Sequence, residues 1–97
     1  MITNLAQFKR ALTIGSVWQA YHYDHKHNKS DLGARPVSIK QSNAVAFKTK
    51  EDKDSWMHFS KAECYEFKDD KVFIYWPRCE FGNTPRQLVL EYSRVGE

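Results

Sequence analysis

The stretch NLAQFKRALTIGSVWQAYHY, residues 4–23, changes its hydrophobic period at Gly15, and this change decides the fold. Before Gly15, Leu5, Phe8 and Leu12 recur at the spacing that lines one face of an α-helix. After it, apolar and polar residues alternate with a period of two, which is typical of a β-strand. The sequence therefore predicts a helix followed by a sheet.

The predicted helix covers residues 4–13. Asn4 can cap its first turn, and Gln7 follows three residues later, as in a capping box. Gly15 can adopt the left-handed conformation that ends a helix. Because a helix this short is not stable alone, we expect it to dock on the sheet that follows.

The remainder of the chain predicts about six short antiparallel strands within residues 16–95. Strand-like runs alternate with turn formers, such as Ser42-Asn43 and Asp69-Asp70. The segment Asp24–Ala34 has no strand pattern and is predicted to be a loop. We expect one α+β domain over 1–97, in which the N-terminal helix packs on a strongly bent sheet or small, partly open barrel of the SH3-like or OB-like size class.

Hydropathy and cysteine usage narrow the protein class. The longest apolar run, Val72 to Trp76, is far shorter than the ~20 residues of a membrane span, and the N-terminus lacks a signal-peptide pattern. We therefore expect a cytoplasmic protein with no membrane partner. Cys64 and Cys79 are too far apart for a CxxC motif, so we expect two free, buried thiols. The oligomeric state stays open.

The charge is unevenly distributed along the chain. The net charge is +3, but residues 1–50 hold eight Lys and Arg against two Asp, whereas residues 51–97 hold seven against ten Asp and Glu. If the early strands share a face, that face has a positive field that can steer an anionic partner. The alternative is that these lysines are solvated and point in all directions.

The stretch YHYDHKHNKS, residues 21–30, contains three of the four histidines of the chain. It admits four interpretations: a metal site, a pH-responsive cluster, a phosphate-binding loop, or a polar loop. The candidate metal ligands are His22, Asp24, His25 and His27. We predict no metal or cofactor, because structural zinc sites usually draw ligand pairs from two separated segments.

Aromatic residues make up 14% of the chain, more than one core of this size can hide. Exposed aromatic rings beside basic side chains are typical of surfaces that bind single-stranded nucleic acid. We therefore predict a non-enzymatic binding module that takes nucleic acid as its partner. The basic candidates are Lys26, Lys29, Arg35, Lys40 and Lys48, and the stacking candidates are Trp18, Tyr21 and Tyr23.

Two other function classes stay open. A protein-binding module would use Phe73, Tyr75 and Trp76, because side chains alternate along a strand and both of its faces cannot be buried without a cover. An enzyme is the least supported class. Cys64 is the candidate nucleophile and His58 the candidate base, without the flanking pattern of a cysteine enzyme.

Four phrases carry a resemblance over most of the chain: FKRALTIGSVW (8–18), ARPVSIKQSNAVAFKT (34–49), DSWMHFSKAECYEF (54–67) and KVFIYW (71–76). In these phrases the chain resembles small uncharacterised proteins of bacteriophages and other mobile elements. The resemblance implies an accessory gene whose product binds nucleic acid or inhibits a host protein. It also implies that Trp56 is a core residue.

Overall fold

The computed structural model describes residues 2–59, 64–76 and 87–96. Their elements are α1 (Leu5–Ala11), β1 (Val17–Tyr23), β2 (Lys29–Lys40), β3 (Ala44–Lys48), β4 (Asp54–His58), β5 (Tyr65–Lys68), β6 (Lys71–Trp76) and β7 (Gln87–Val95). The strands form one antiparallel sheet in the order β4-β3-β2-β1-β7-β6-β5, which curls into a half-barrel. The predicted α+β class is confirmed, with seven strands in these parts of the chain instead of about six.

The first turn of α1 is capped as predicted. The Asn4 side-chain oxygen accepts a hydrogen bond from the Gln7 N–H group at 2.8 Å. The Gln7 side chain does not close a box on Asn4; it accepts from the Thr3 N–H group at 2.7 Å. At the other end, the Lys40 ammonium group donates to the Lys9 carbonyl oxygen at 2.6 Å. That oxygen is one of those that the end of a helix leaves unpaired.

The helix ends at Ala11, two residues before the predicted boundary. Leu12 leaves helical geometry, with φ −78° and ψ 65°, and its side chain is fully buried in the core. Gly15 adopts the left-handed conformation, with φ +92°, but in the link to β1 and not at the end of the helix. Its N–H group donates to the Val37 carbonyl oxygen at 2.9 Å, which fixes this link against β2.

Phe8 is the centre of the core. It is fully buried, and five aromatic rings have centroids within 6.5 Å of its own. They belong to Trp18, Phe59, Tyr65, Phe67 and Tyr92. One helical side chain therefore joins α1 to three strands of the sheet and to the residue after β4.

Two tryptophans occupy environments opposite to those predicted. Trp18 has no exposed surface and donates from its indole nitrogen to the Ser16 hydroxyl at 3.0 Å, so its prediction as a stacking group is wrong. Trp56 is 44% exposed and is not a core residue. Strand alternation explains both outcomes, because Trp18 faces α1, whereas on β4 the neighbouring Met57 takes the buried position.

The loop predicted for Asp24–Ala34 is mostly strand. β2 begins at Lys29 and pairs with β1, so only the first five residues of the segment link the two strands. Leu32 is an extra residue in this pairing, a β-bulge, and Gly33 follows it with φ +83°. The loop prediction was wrong because the bulge breaks the period of two in a segment that is otherwise polar.

The remaining turns follow their sequences. Asp69 and Asp70 both have positive φ, 53° and 62°, as the tight turn between β5 and β6 requires. The turn predicted at Ser42-Asn43 joins β2 to β3. Cys64 is free and buried, whereas Cys79 lies outside the described residues. Within the described ranges, no helix is long and apolar enough to cross a membrane.

Candidate functional site

The face of the sheet opposite α1, the outer face, displays a row of side chains that crosses five strands. Directly opposed residues of antiparallel strands project to the same face. Successive partners across β2, β1, β7, β6 and β5 are Asp31, Tyr21, Glu91, Phe73 and Glu66. The adjacent row, which contains Ala20, Tyr92 and Val72, lies on the other face and is buried in the core.

A buried carboxylate lies at the centre of the outer face. Glu91 is only 3% exposed, although it faces away from the core. Its Oε1 atom accepts a hydrogen bond from the Tyr23 hydroxyl at 2.8 Å. The Lys29 ammonium group lies 3.6 Å from Oε1, and that of Lys71 lies 4.0 Å from Oε2. These three groups compensate the charge that burial would otherwise destabilise.

Lys29 joins this carboxylate to the aromatic rings. Its Nζ atom lies 4.0 Å from the ring centroid of Tyr21 and 5.9 Å from that of Tyr23, within cation–π range. Burial alone would lower the pKa of Lys29, but Glu91 together with Tyr23 and Tyr21 outweighs this effect, and the pKa is raised. Burial and the bond to Glu91 raise the pKa of Tyr23. Lys29 therefore stays charged and Tyr23 neutral at physiological pH.

The outer face keeps both ring surface and positive charge accessible. Tyr21, Tyr23 and Phe73 are half-buried, so none of the three residues is fully enclosed by the protein. The side chains of Lys29 and Lys71 are 45% and 47% exposed, so each ammonium group can reach an external anion. Such a surface can stack planar rings and neutralise phosphate groups.

The histidine-rich loop has its own internal order. The Asp24 carboxylate accepts hydrogen bonds from the N–H groups of Lys26 and Asn28, each at 2.9 Å. These hydrogen bonds lower the pKa of Asp24, and the one from the Asn28 N–H group has the largest effect. His27 adopts φ +66°, and its ring lies 5.0 Å from that of Tyr23. Asp24 therefore shapes the turn that joins β1 to β2.

The candidate metal ligands do not converge. His22 lies on β1 and projects to the face opposite Tyr21 and Tyr23, whereas His25 and His27 lie in the loop. No three His, Cys, Asp or Glu side chains in residues 2–59, 64–76 and 87–96 are placed to hold a metal ion. The pH-responsive and phosphate-binding interpretations of this loop stay predictions.

The basic candidates are divided among several surfaces. Lys29 lies on the outer face, and Lys26 lies in the adjoining loop. Arg35 faces the inner side of the sheet, since it is paired with the buried Trp18. Lys40 binds the end of α1, and Lys48 lies 3.7 and 3.5 Å from the carboxylates of Asp52 and Asp54. The alternation of side chains and the partners of each residue thus separate candidates that the sequence places in neighbouring strands.

Two of the protein-binding candidates, Phe73 and Tyr75, share the outer face with some of the nucleic-acid candidates. Phe73 is the direct partner of Glu91 on β6. Tyr75 is half-buried and donates from its hydroxyl to the Glu66 carboxylate at 3.2 Å. Trp76 continues the backbone of β6, and its side chain is not among those described. Tyr21, Tyr23 and Lys29 are therefore brought together with Phe73 and Tyr75.

Two residues of this surface were missed by reasoning from the sequence. Glu91 is the only charged residue between Leu88 and Ser93, and an isolated carboxylate in an apolar strand is a signal of a paired buried charge. Lys71 gives no such signal, because its role depends on the pairing of β6 with the distant β7.

His58 and Cys64, the enzyme candidates, lie in unlike environments. His58 is exposed on β4, whereas Cys64 is only 4% exposed.

Comparisons with known protein families, with curated proteins and with solved structures found no match to this chain.

Proposed function

We propose that this chain is a non-enzymatic binding module that holds single-stranded nucleic acid on the outer face of its sheet. The observation that carries the proposal is the grouping of the half-buried Tyr21, Tyr23 and Phe73 with the ammonium groups of Lys29 and Lys71. Unpaired bases stack on aromatic rings that an antiparallel sheet presents, while lysines neutralise the phosphates.

The buried Glu91 supports the proposal by fixing the geometry of this surface. It holds the Tyr23 ring through the hydroxyl and keeps Lys29 over the Tyr21 ring. A binding surface whose rings are already oriented loses less conformational entropy when a ligand arrives. Within this proposal, Lys26 extends the basic surface from the adjoining loop, whereas Arg35, Lys40 and Lys48 do not take part.

Fluorescence anisotropy with labelled single- and double-stranded DNA and RNA tests the proposal. We expect single strands to bind more tightly than duplexes, with an affinity that falls steeply as salt rises. Tyr21→Leu and Phe73→Leu should each weaken binding by about 5- to 150-fold, since stacking contributes ~1–3 kcal/mol per base. Tyr23→Phe keeps the ring but loses the hydrogen bond that holds it on Glu91, so it should weaken binding less than either leucine variant.

A lysine pair separates phosphate contact from overall charge. Lys29→Ala should weaken binding at low salt and reduce the salt slope by about 0.7, the value for one phosphate contact to a single strand. Lys53→Ala removes the same charge from the exposed turn between β3 and β4 and should change neither quantity. The absence of any binding at low salt would exclude the proposed function.

A protein-binding module is the second candidate, because the same face presents Phe73 and Tyr75 and because β4 ends the strand order with Trp56 exposed. Exposed edge strands and apolar patches are common protein-docking surfaces. In the phage or mobile-element context that the resemblance implies, the partner would be a host protein. Association that tolerates salt and is damaged by Tyr75→Ala more than by Lys29→Ala would favour this candidate.

A further inference from the structure

The inner side of the half-barrel contains a cavity of about 370 Å³ that α1 does not fill. Its walls are both polar and apolar; the apolar part includes Leu32, Met57, Ile74 and Leu90, and the exposed Trp56 also lines it. The volume falls within the range of sites for small organic ligands. These walls come from β2, β4, β6 and β7, so the cavity is a product of the fold and not of one loop.

The residues that line this cavity also include the polar Ser55, His58, Arg35 and Tyr92. The first that can bind an anion is Arg35, whose guanidinium is always charged. The Arg35 Nε–H group donates a hydrogen bond to the Leu32 carbonyl oxygen at 3.2 Å. The two terminal amino groups of the guanidinium are left to bind a ligand. Among the described residues, no carboxylate lies within 4.0 Å of it. A half-buried guanidinium beside apolar walls matches a carboxylate in both charge and geometry.

Tyr92 supplies a second group that can bind an anion. Its side chain is 7% exposed, its ring stacks on Phe47 with centroids 5.2 Å apart, and it lines the cavity. No side-chain hydrogen bond within the described ranges involves its hydroxyl group. Burial, partly offset by Arg35, raises its pKa to about 12. The hydroxyl therefore stays protonated and can donate to an anion.

We propose that this cavity binds a small apolar monocarboxylate, with its carboxylate on Arg35 and the Tyr92 hydroxyl and its hydrocarbon part against Ile74 and Leu90. This site lies on the opposite side of the sheet from the outer face. The inference is therefore independent of the proposed nucleic-acid binding, and either can fail without the other.

Octanoate and its neutral analogue octanamide test this site in the full chain. NMR titrations should follow the methyl signals of Ile74 and Leu90 and the Nε–H signal of Arg35. We expect octanoate to shift all three and to bind about tenfold or more tightly than octanamide, as a charge-assisted hydrogen bond implies. Equal affinities, or octanoate that leaves the methyl signals unmoved, would overturn the proposal.

Three variants locate the carboxylate. Arg35→Met should weaken octanoate binding by about tenfold or more, and Tyr92→Phe, which keeps the ring, by about threefold or more. Lys48→Met removes the same charge as Arg35→Met from a residue that does not line the cavity, and it should leave the affinity unchanged. Undiminished binding by Arg35→Met would contradict the proposal; if that variant fails to fold, the ratio of octanoate to octanamide affinity decides alone.

Discussion

At the scale of single residues, Glu91 is the clearest case of a side chain whose role depends on its neighbours. Its position in β7 faces away from the core, yet the tyrosine and two lysines around it leave the carboxylate almost without solvent. Replacing one member of such a group leaves the others incompletely compensated, which costs more than the group contributes as a whole.

This argument predicts that Glu91→Gln destabilises the protein. The amide keeps the shape but removes the charge opposite Lys29 and Lys71. Because both ammonium groups are half-exposed, we expect a moderate loss in the free energy of unfolding, about 1–3 kcal/mol. Urea denaturation should register it as a lower midpoint with an unchanged slope.

Glu66→Gln is the matched control for this prediction. Glu66 lies on the same face two strands away, but it is exposed. The same substitution there should change stability by less than about 0.5 kcal/mol. Equal effects at the two positions would mean that burial of Glu91 has no energetic consequence.

Asp24 makes the turn between β1 and β2 sensitive to acid. Folding lowers its pKa below the ordinary value of 3.8, because the carboxylate accepts N–H groups of the turn. Its contribution is therefore complete above pH 3.8 and is lost as the pH falls through the lowered value. In an NMR titration, the amide signals of Lys26 and Asn28 should move together with a midpoint below 3.8.

Asp24→Asn provides the control for the acid titration. The amide oxygen can still accept from the turn, but it does not titrate, so the concerted movement of the two amide signals should disappear. A midpoint above the ordinary value in the unmodified chain would show that the turn does not stabilise the carboxylate.

At the scale of elements, the bulge in β2 controls both faces of the sheet. Before it, Lys29 and Asp31 share the outer face with Tyr21 and Tyr23; beyond it, Arg35 reaches the inner cavity. Gly33 allows the bulge through its left-handed conformation, and the Asp31 carboxylate accepts a hydrogen bond from the Gly33 N–H group at 2.7 Å.

Gly33→Ala should therefore destabilise the protein by about 1–2 kcal/mol, the cost of a left-handed conformation for a residue with a Cβ atom. The added carbon would also lie 3.2 Å from Cε of Lys50, at the end of a flexible side chain that can move away. Thermal and urea unfolding measure this loss. Gly33→Asn should cost less, because asparagine tolerates positive φ; an unaffected Gly33→Ala would show that the bulge relaxes freely.

Elements with uninterrupted patterns could be predicted from the sequence, and those with interruptions could not. The switch at Gly15 and the turn at Asp69-Asp70 gave the helix, the strands and the α+β class correctly. The first half of β2 was not predicted as a strand, because its bulge and polar residues hide the period of two. The resemblance misplaced Trp56 in the core, because a shared phrase does not reveal which face of an edge strand is covered.

At the scale of the whole molecule, the candidate site depends on strand order, which the sequence does not contain. Tyr21 and Phe73 lie 52 positions apart, and only the placement of β7 between β1 and β6 brings them to one surface. The same order moves Arg35 to the inner side and leaves Lys40 beside the helix. Several residues of the candidate site could therefore be named from the sequence, but their grouping could not.

The whole fold also depends on the packing of Phe8, which joins α1 to the sheet. Phe8 is the only fully buried aromatic residue of α1, and it touches residues that span the sheet from β1 to β5. Phe8→Ala should lower the free energy of unfolding by about 3–5 kcal/mol. That is a large part of the 5–15 kcal/mol typical of a domain this size. Phe8→Leu, which fills part of the space, should cost less and remain folded.

Because α1 is too short to persist alone, loss of this contact should undock and melt the helix together with the sheet. Far-UV circular dichroism and tryptophan fluorescence should then give coincident urea transitions for both Phe8 variants. Ile14→Ala is the control, since Ile14 is also a large apolar residue near α1 but is 68% exposed, and it should cost less than about 0.5 kcal/mol. Separate transitions for the two signals would show that the helix and the sheet do not fold as one unit.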